Sequence, residues 1–448
     1  MKSDAPKALH SLYGRPMLRH VLDAAMGTGP EKTVVVINRR DAGKVREALK
    51  SDHVLFALQG KPMGTADALS CGLKALGGFS GTALVLNGDM PLVTAKTLRR
   101  FLRLHRRRKN ALSIASFIAE NPGPYGRIIR GGNGKAVGII EAGDASGTEK
   151  AVNEVNGGLY AIERPALALL KRIGPNRKKK EYYLTDIFGL ALKRGLKAEV
   201  HPAGEEGEFI GVNTKAELMQ AHEALRKRHI SLCLEKGVNF IDAASVFIHP
   251  TVSIGRETLI YPDVYLEGRT RVGKNCVIYP NVRVVDSSIG DRAVIKDSTL
   301  IEGSVIGRGA EVGPFAHIRP GSAVGPGAKI GNFVEVKKSS IGPLTKAMHL
   351  SYIGDATVGR GVNIGAGTIT CNYDGKRKQR TVIESNVFVG SDSQLIAPVR
   401  IGRGSYIGAG STITGDVPAG SLALSRVRQK TIRGWARHRQ GLPKKEPV

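Results

Sequence analysis

From Ile248 onward an aliphatic residue returns every six positions: Ile248, Ile254, Ile260, Leu266, Val272, Ile278 and Val284. Two places before each of these from Ile254 on stands a smaller residue: Val252, Thr258, Val264, Thr270, Cys276 and Val282. The register slips by one and resumes as Ile289, Ile295 and Ile301. It slips again to Ile306, Val312, Ile318, Val324, Ile330 and Val336, and a last run reads Ile383, Val389, Leu395, Ile401, Ile407 and Ile413. Neither the helical period of 3.6 nor simple strand alternation sustains a six-residue repeat. A left-handed parallel β-helix of hexapeptide repeats does. Each hexapeptide is a short strand and a turn, and three of them close a triangular coil with the aliphatic side chains stacked inside. Glycine after the aliphatic residue, as in Ile254-Gly255, Val272-Gly273 and Ile401-Gly402, is expected to take turn conformations that a side chain resists. Residues 246–414 then hold about nine coils, with Cys276 in a core slot.

The first half follows another pattern. Short apolar runs, Thr33–Ile37, His53–Leu58, Ala83–Leu86 and Ala111–Ile118, alternate with helical stretches such as Leu18–Ala25, Ala66–Leu76 and Ala95–His105. That alternation predicts an α/β domain with a largely parallel sheet. Between the halves, Leu218, His222, Leu225, His229 and Leu232 recur at helical spacing, which predicts an amphipathic joining helix. The expected organisation is a Rossmann-like α/β domain over 1–213, a linker helix over 214–237 and a β-helix domain over 238–448. The last of these ends in a basic tail from Arg426.

Composition narrows the function classes. Apolar residues are 41% of 448, enough for sizeable cores. Lysine and arginine number 67 against 39 acidic residues, a net charge of +28 that points to anionic partners. Nucleic acid is a poor candidate, because aromatics are 5% and no basic-aromatic stacking platform or nucleic-acid motif is present. Four scattered cysteines exclude a disulfide framework or a zinc cluster. No stretch approaches the ~18 apolar residues of a membrane span, and no apolar signal core follows Met1. A cytoplasmic location is expected.

Local motifs then carry a resemblance. Ser3-Asp-Ala-Pro-Lys7 looks like the end of a sugar-nucleotidyltransferase phosphate loop. Gln59, Gly64-Thr65, Asn87-Gly88-Asp89, Tyr125-Gly126-Arg127, Glu141, Asn156 and Gly211-Val-Asn213 follow in that family's order. In the repeat region stand Ile318-Arg319-Pro-Gly321, Asn332-Phe-Val-Glu335-Val-Lys337-Lys338, His349-Leu-Ser-Tyr352-Ile-Gly-Asp355 and Asn363-Ile-Gly-Ala366, continuing to Asn372-Tyr373-Asp374-Gly375. Together they closely resemble the bifunctional N-acetylglucosamine-1-phosphate uridylyltransferase/glucosamine-1-phosphate acetyltransferase family over nearly the whole chain.

The resemblance implies two steps toward UDP-N-acetylglucosamine, a sugar donor for cell-wall precursors. Glucosamine-1-phosphate is acetylated from acetyl-CoA, and UMP is then transferred from UTP with release of pyrophosphate. It also implies a homotrimer with acetyltransferase sites between neighbouring β-helices. By the same resemblance His349 is the catalytic base, a role suited to a group that titrates near neutral pH. Glu335 either orients its ring or is a solvated carboxylate. Arg319, Lys337, Tyr352 and Asn363 match the sugar-phosphate ligands. Ala366, Asn372, Tyr373, Ser391, Ala409 and Arg426 match acetyl-CoA positions. In the first domain Asp89 and Asn213 would hold Mg²⁺ through hard oxygen ligands, and Lys7 would stabilise the departing pyrophosphate. Gln59 and Thr65 would read uracil, Gly126, Glu141 and Asn156 would hold the acetylated sugar, and Gly64, Asn87 and Gly88 match further UTP or UDP-sugar positions. Taken singly, each has a plainer reading: Asp89 as a turn residue, the cations as solvated corners, His349 as a hydrogen-bonded structural histidine.

One departure stands out. The family opens with an apolar central strand and a Leu-Ala-Ala-Gly-x-Gly-Thr-Arg-Met loop, and this sequence begins at that loop's last residue or just after it. A start set too late and a true truncation both fit. The expectation that follows is an alternative function, an acetyltransferase whose first domain is inactive.

Overall fold

Strands form in the first half where short β-branched runs predict them. The structure, a computed structural model, describes residues 3, 5–50, 53–176 and 180–439; Met1, Lys2, Asp4 and the end of the basic tail lie outside them. Helix α1 covers Met17–Met26, strand β1 Val34–Asn38, strand β2 Leu55–Gln59 and helix α2 Thr65–Leu76. β1 and β2 pair in parallel with Val34 opposite Leu55. Leu18 and Leu22 of α1 cover Val35 and Ile37 of β1. On the other face Gly72 lets α2 close on the sheet, since a Cβ there would stand 3.2 Å from the Val36 side chain.

The rest of this unit corrects the expected parallel sheet. β3 (Ala83–Leu86), β4 (Leu112–Ile118), β5 (Arg127–Arg130), β6 (Ala136–Ile140), β7 (Glu154–Ile162) and β8 (Ala198–Pro202) form a mixed sheet in the order β8-β4-β7-β5-β6, with β3 also on β7. β8 runs parallel to β4, but β7 is antiparallel to β3, β4 and β5. Parallel neighbours need a long crossover, usually a helix. Between β4 and β7 the chain supplies only the β5–β6 hairpin and a single helical turn, Gly147–Lys150. Helix α3 (Ala95–Arg108) starts at Thr94, whose hydroxyl accepts the Thr97 N–H at 3.1 Å. It buries Leu98, Phe101 and Leu102 and exposes Lys96, Arg99, Arg100, Arg103, Arg106 and Arg107, which accounts for part of the positive excess.

Two compact units result, residues 1–228 and 229–448, with the division inside helix α4, Lys215–Glu235. In the first unit Leu218, Ala221, Ala224 and Leu225 pack with Leu12, Met17, Leu92 and Val212. In the second, Ile230 and Cys233 belong to the β-helix core, while Leu232 is half exposed.

The second unit is the expected left-handed parallel β-helix, with faces of 11, 10 and 9 strands. It runs from Asn239–Phe240 to Leu422–Ala423, about one coil longer than the sequence suggested. Ile260, Leu266 and Ile278 are fully buried, and so is Cys276, whose thiol burial pushes up. Inward hydroxyls tie coil to coil: Thr258 accepts the Cys276 N–H from 18 residues on, and Thr270 the Ser287 N–H from 17. Coils of two lengths are the register slips. The recurrent glycine has a different cause from the expected one. A Cβ at Gly255 would lie 2.6 Å from the carbonyl of Gly273 in the next coil, so glycine is required by close stacking. Left-handed corners are shared between other glycines, Gly268, Gly309 and Gly327 among them, and residues such as Asp263, Asn275 and Asn281.

Candidate functional sites: a nucleotide-sized cleft and a corner column

β3 ends at Leu86 and releases the loop Asn87-Gly88-Asp89. The Asn87 amide packs against Gly158 of β7, where a Cβ would meet it at 2.7 Å. The Val212 N–H donates to the Asp89 carbonyl at 2.9 Å, which brings Asn213 alongside. Asn213 is fixed in turn by the start of α4: Glu217 Oε2 accepts its N–H at 2.6 Å and that of Thr214 at 2.7 Å. Burial raises the Glu217 carboxyl, but these two N–H groups, the Thr214 hydroxyl and the Lys7 charge together outweigh it and hold the group below its ordinary range. Asp89 Oδ2 and Asn213 Oδ1 thus converge on one point, taken by the Lys7 ammonium at 2.6 Å from Asp89 and in hydrogen-bond contact with Asn213.

The opposite wall is laced to the segment at 182–184. Gly64 has φ +106°, and the backbone of Tyr182 bonds both sides of it: its N–H donates to Met63 O at 2.7 Å, and its carbonyl accepts the Ala66 N–H at 3.0 Å. The Thr65 hydroxyl accepts the Leu184 N–H, and Gln59 donates to Asp67 at 2.7 Å. On the third side the Gly126 carbonyl accepts the Asn156 N–H at 2.7 Å, Asn156 donates to the Tyr160 hydroxyl, and Glu141 accepts from Thr185 at 2.7 Å. Every residue expected in the first domain's site, from Lys7 to Asn213, lines one cleft of about 1290 Å³, whose apolar wall comes from β1 and β3.

In the β-helix the expected residues divide between two faces. Arg319 donates to Glu335 at 2.8 Å, so Glu335 neither orients His349 nor stands solvated alone. Lys337 ends the strand that Glu335 begins, and Tyr352 pairs with Glu335 one coil on. Gly354 leaves room for the Tyr352 phenol, since a Cβ there would lie 2.5 Å from its oxygen. Asn372 sits 3.5 Å from that oxygen and is held by Asp355 at 2.5 Å. Asn363 lies on the neighbouring face, between Lys346 and Phe388. The partner of His349 is Asn332, with Nδ1 2.9 Å from Oδ1.

His349 also begins a column. Successive coils bond through Gly367 N–H to Leu350 O, Asp392 N–H to Ala366 O and Gly410 N–H to Ser391 O, which stacks His349, Ala366, Ser391 and Ala409 at one corner. Arg426 closes the far end by donating to the Ala409 carbonyl at 2.9 Å. Tyr373 opens the insertion after Asn372, where Asp374 accepts the N–H groups of Lys376 and Arg377.

The Nucleotidyl transferase family model matches residues 2–207, the GMPPB C-terminal domain model 243–321, and the bacterial transferase hexapeptide (six repeats) model 380–415. The Bifunctional protein GlmU of Thermodesulfovibrio yellowstonii is 47% identical over 440 residues, covering 98% of this chain and 97% of that protein. The chain belongs to the GlmU family. The GlmU proteins of Pelobacter propionicus and Syntrophotalea carbinolica are each 44% identical, over 97% of this chain and 95% and 94% of theirs. GlmU membership makes the chain a bifunctional enzyme of UDP-N-acetylglucosamine synthesis, with uridylyltransferase and acetyltransferase activities. Nothing in the comparisons favours the acetyltransferase-only alternative. Among the described residues no helix is long and apolar enough to cross a membrane.

Motif reading missed the side chains that hold the GlmU residues in place: Asn332 behind His349, Asp355 behind Asn372 and Thr185 behind Glu141. For the first two the signal was the coil period, since each lies 17 positions before the residue it touches.

Proposed function

We propose that the cleft joins UTP to N-acetylglucosamine-1-phosphate and that the His349 corner acetylates glucosamine-1-phosphate. Residues 1–213 and 238–448 are the respective domains. The observation that carries the second half is the column. Neighbouring coils are about 4.8 Å apart, so Ala409 lies about 14 Å from His349 along a line of small side chains. An extended pantetheine arm fits such a track, with Arg426 and the Asn372-Tyr373 loop at the CoA end and the thioester at His349. With Nδ1–H donated to Asn332, Nε2 keeps its lone pair and takes a proton from the sugar's ammonium group. The free amine attacks the thioester carbonyl and the C–S bond breaks; of the two protons the nitrogen sheds, one goes to the leaving thiolate and the other passes through His349 to water. Arg319 and Lys337 meet the sugar phosphate as a fork and a point charge, with Tyr352 beside them. His349 and Asn363 lie on one face and Arg319, Lys337 and Tyr352 on the next, so the set spans a corner, and a homotrimer with sites between neighbouring β-helices completes it.

In the cleft a phosphate oxygen of N-acetylglucosamine-1-phosphate attacks the α-phosphorus of UTP, and the bond to the β-phosphate breaks. Glu141, Gly126 and Asn156 hold the sugar, while Gln59, Gly64 and Thr65 hold the base. Asn87 and Gly88 border the phosphates, and Lys7 meets the charge developing on pyrophosphate. Asp89 and Asn213 fit Mg²⁺, because two hard oxygens already converge on a cation there. The described residues supply no cluster of three His, Cys, Asp or Glu side chains to cage a metal, which suits an ion that completes its shell with phosphates and water. When bound, the ion neutralises the reacting phosphates. A cytoplasmic enzyme is proposed.

Reciprocal variants test the assignment. His349→Ala should lower acetyl transfer by about 10²–10⁴ and leave pyrophosphate release intact, while Asp89→Asn does the reverse. Loss of both activities in either variant, or full acetyl transfer by a monomer in light scattering, overturns it.

A further inference from the structure

In this structure a lysine ammonium stands at the point where the two proposed metal ligands meet. Lys7 Nζ is 2.6 Å from Asp89 Oδ2 and bonded to Asn213 Oδ1. The backbones that carry the two oxygens are held from behind, Asp89 by its carbonyl accepting the Val212 N–H and Asn213 by its N–H donating to Glu217, and the Asn213 side-chain amide donates to the Gly211 carbonyl at 3.4 Å. They form a fixed seat. Lys7 is the movable part: its side chain is 37% exposed and extends on a flexible stem from a three-residue turn, Lys7–Leu9.

We propose that Lys7 is a place-holder for the divalent cation. Its ammonium neutralises the Asp89–Asn213 seat before nucleotide binds, leaves when the cation enters, and moves onto the triphosphate. The proposal rests on reading Asp89 and Asn213 as metal ligands, and goes beyond it in tying the lysine to the order of events. Two cations cannot share those oxygens at contact distance without strong repulsion, so metal entry and lysine release are one event. The released ammonium needs an anion, and the triphosphate supplies it. Metal and UTP binding therefore reinforce one another, and the metal alone is disfavoured.

Mn²⁺ serves as the probe, its free concentration read by electron paramagnetic resonance in titrations of the full chain with and without UTP. Lys7→Met keeps the stem and removes the charge. Without UTP it should bind Mn²⁺ about two- to fivefold more tightly than the parent, the worth of one displaced exposed ion pair. Lys7→Arg, which keeps the charge, should stay near the parent. UTP should tighten Mn²⁺ binding in the parent and do so less in Lys7→Met. If Lys7→Met binds Mn²⁺ like the parent while Asp89→Asn abolishes binding, the metal site stands and the place-holder is refuted. If Lys7→Arg binds as tightly as Lys7→Met, charge is not the cause and the proposal fails. If Asp89→Asn leaves Mn²⁺ binding intact, the metal reading itself is wrong.

Discussion

Replacing Gly64 by alanine adds one methyl group at the point where the cleft tolerates it least. Gly64 has φ +106° and ψ 176°, a region that is essentially glycine's alone. A Cβ there would stand 2.5 Å from the Tyr182 carbonyl oxygen and 2.7 Å from its nitrogen. Neither atom is the end of a flexible side chain, and both are already bonded, to Ala66 and Met63. Relief therefore breaks two backbone hydrogen bonds as well as straining the residue. Strain of about 1–3 kcal/mol and two bonds at about 0.5–1.5 kcal/mol each put roughly 2–6 kcal/mol on this loop. Thr65, the next residue, and Gln59, which donates to the Gly64 carbonyl, lose their positions. A shift of about 1 Å in a positioning group costs about 10²-fold in rate. The assay is built into the chain: pyrophosphate release should fall by about that factor, while acetyl transfer, measured on the same preparation, stays at the parent level. Equal loss of both activities would mean global unfolding. Parent-like pyrophosphate release, with the Tyr182 and Ala66 amides still protected from hydrogen exchange, would refute the claim that this turn is rigid.

Two further outcomes follow from other parts of the molecule. Ser391→Leu puts a branched side chain midway along the corner column, and a misfit worth about 1–3 kcal/mol should raise the acetyl-CoA KM by about 5–150-fold while the sugar-phosphate KM and pyrophosphate release hold; an unchanged acetyl-CoA KM would remove the track. Glu154 accepts from Arg130 at 2.6 Å through both oxygens and from Ser116; burial raises its carboxyl, but these bonds outweigh it and leave the group below its ordinary 4.5. Its contribution is thus present above pH 4.5 and lost as pH falls through the lower folded value. Glu154→Gln should cost about 1.5–3 kcal/mol at neutral pH, by denaturant midpoint, with the gap closing in acid; a gap constant down to pH 3 would contradict the assignment.

The β-helix was legible because its geometry leaves the sequence little choice. Ile260, Leu266 and Val272 each fill an inward slot that only an aliphatic side chain fits, and Thr258 and Thr270 mark coil length by the amide each accepts. The α/β unit was legible only where strands are apolar and helices intervene. β7 was missed because Gly157 and Gly158 interrupt its pattern; a Cβ at the first would lie 2.9 Å from the Phe209 ring. Candidate site residues could be named through the family order of motifs, but the groups that touch them in the fold could not. For Glu335 the sequence left two readings open, a ring-orienting group or a solvated carboxylate, and its ion pair with Arg319 was legible in neither. In a coil the neighbour comes from the turn below, and for His349 that neighbour is Asn332.

The corner column makes length a counted quantity in this protein. Each stop from His349 through Ala366 and Ser391 to Ala409 is one whole coil, so the spacing between the histidine and any later stop changes only in steps of about 4.8 Å. An insertion within a coil, such as the exposed one after Asn372, leaves the spacing untouched. A loop can therefore drift in sequence and length while the gauge beneath it stays fixed. Adding or deleting a complete coil is the only change that resets it, and on the proposed reading of the column as a pantetheine track that would alter which acyl carrier fits.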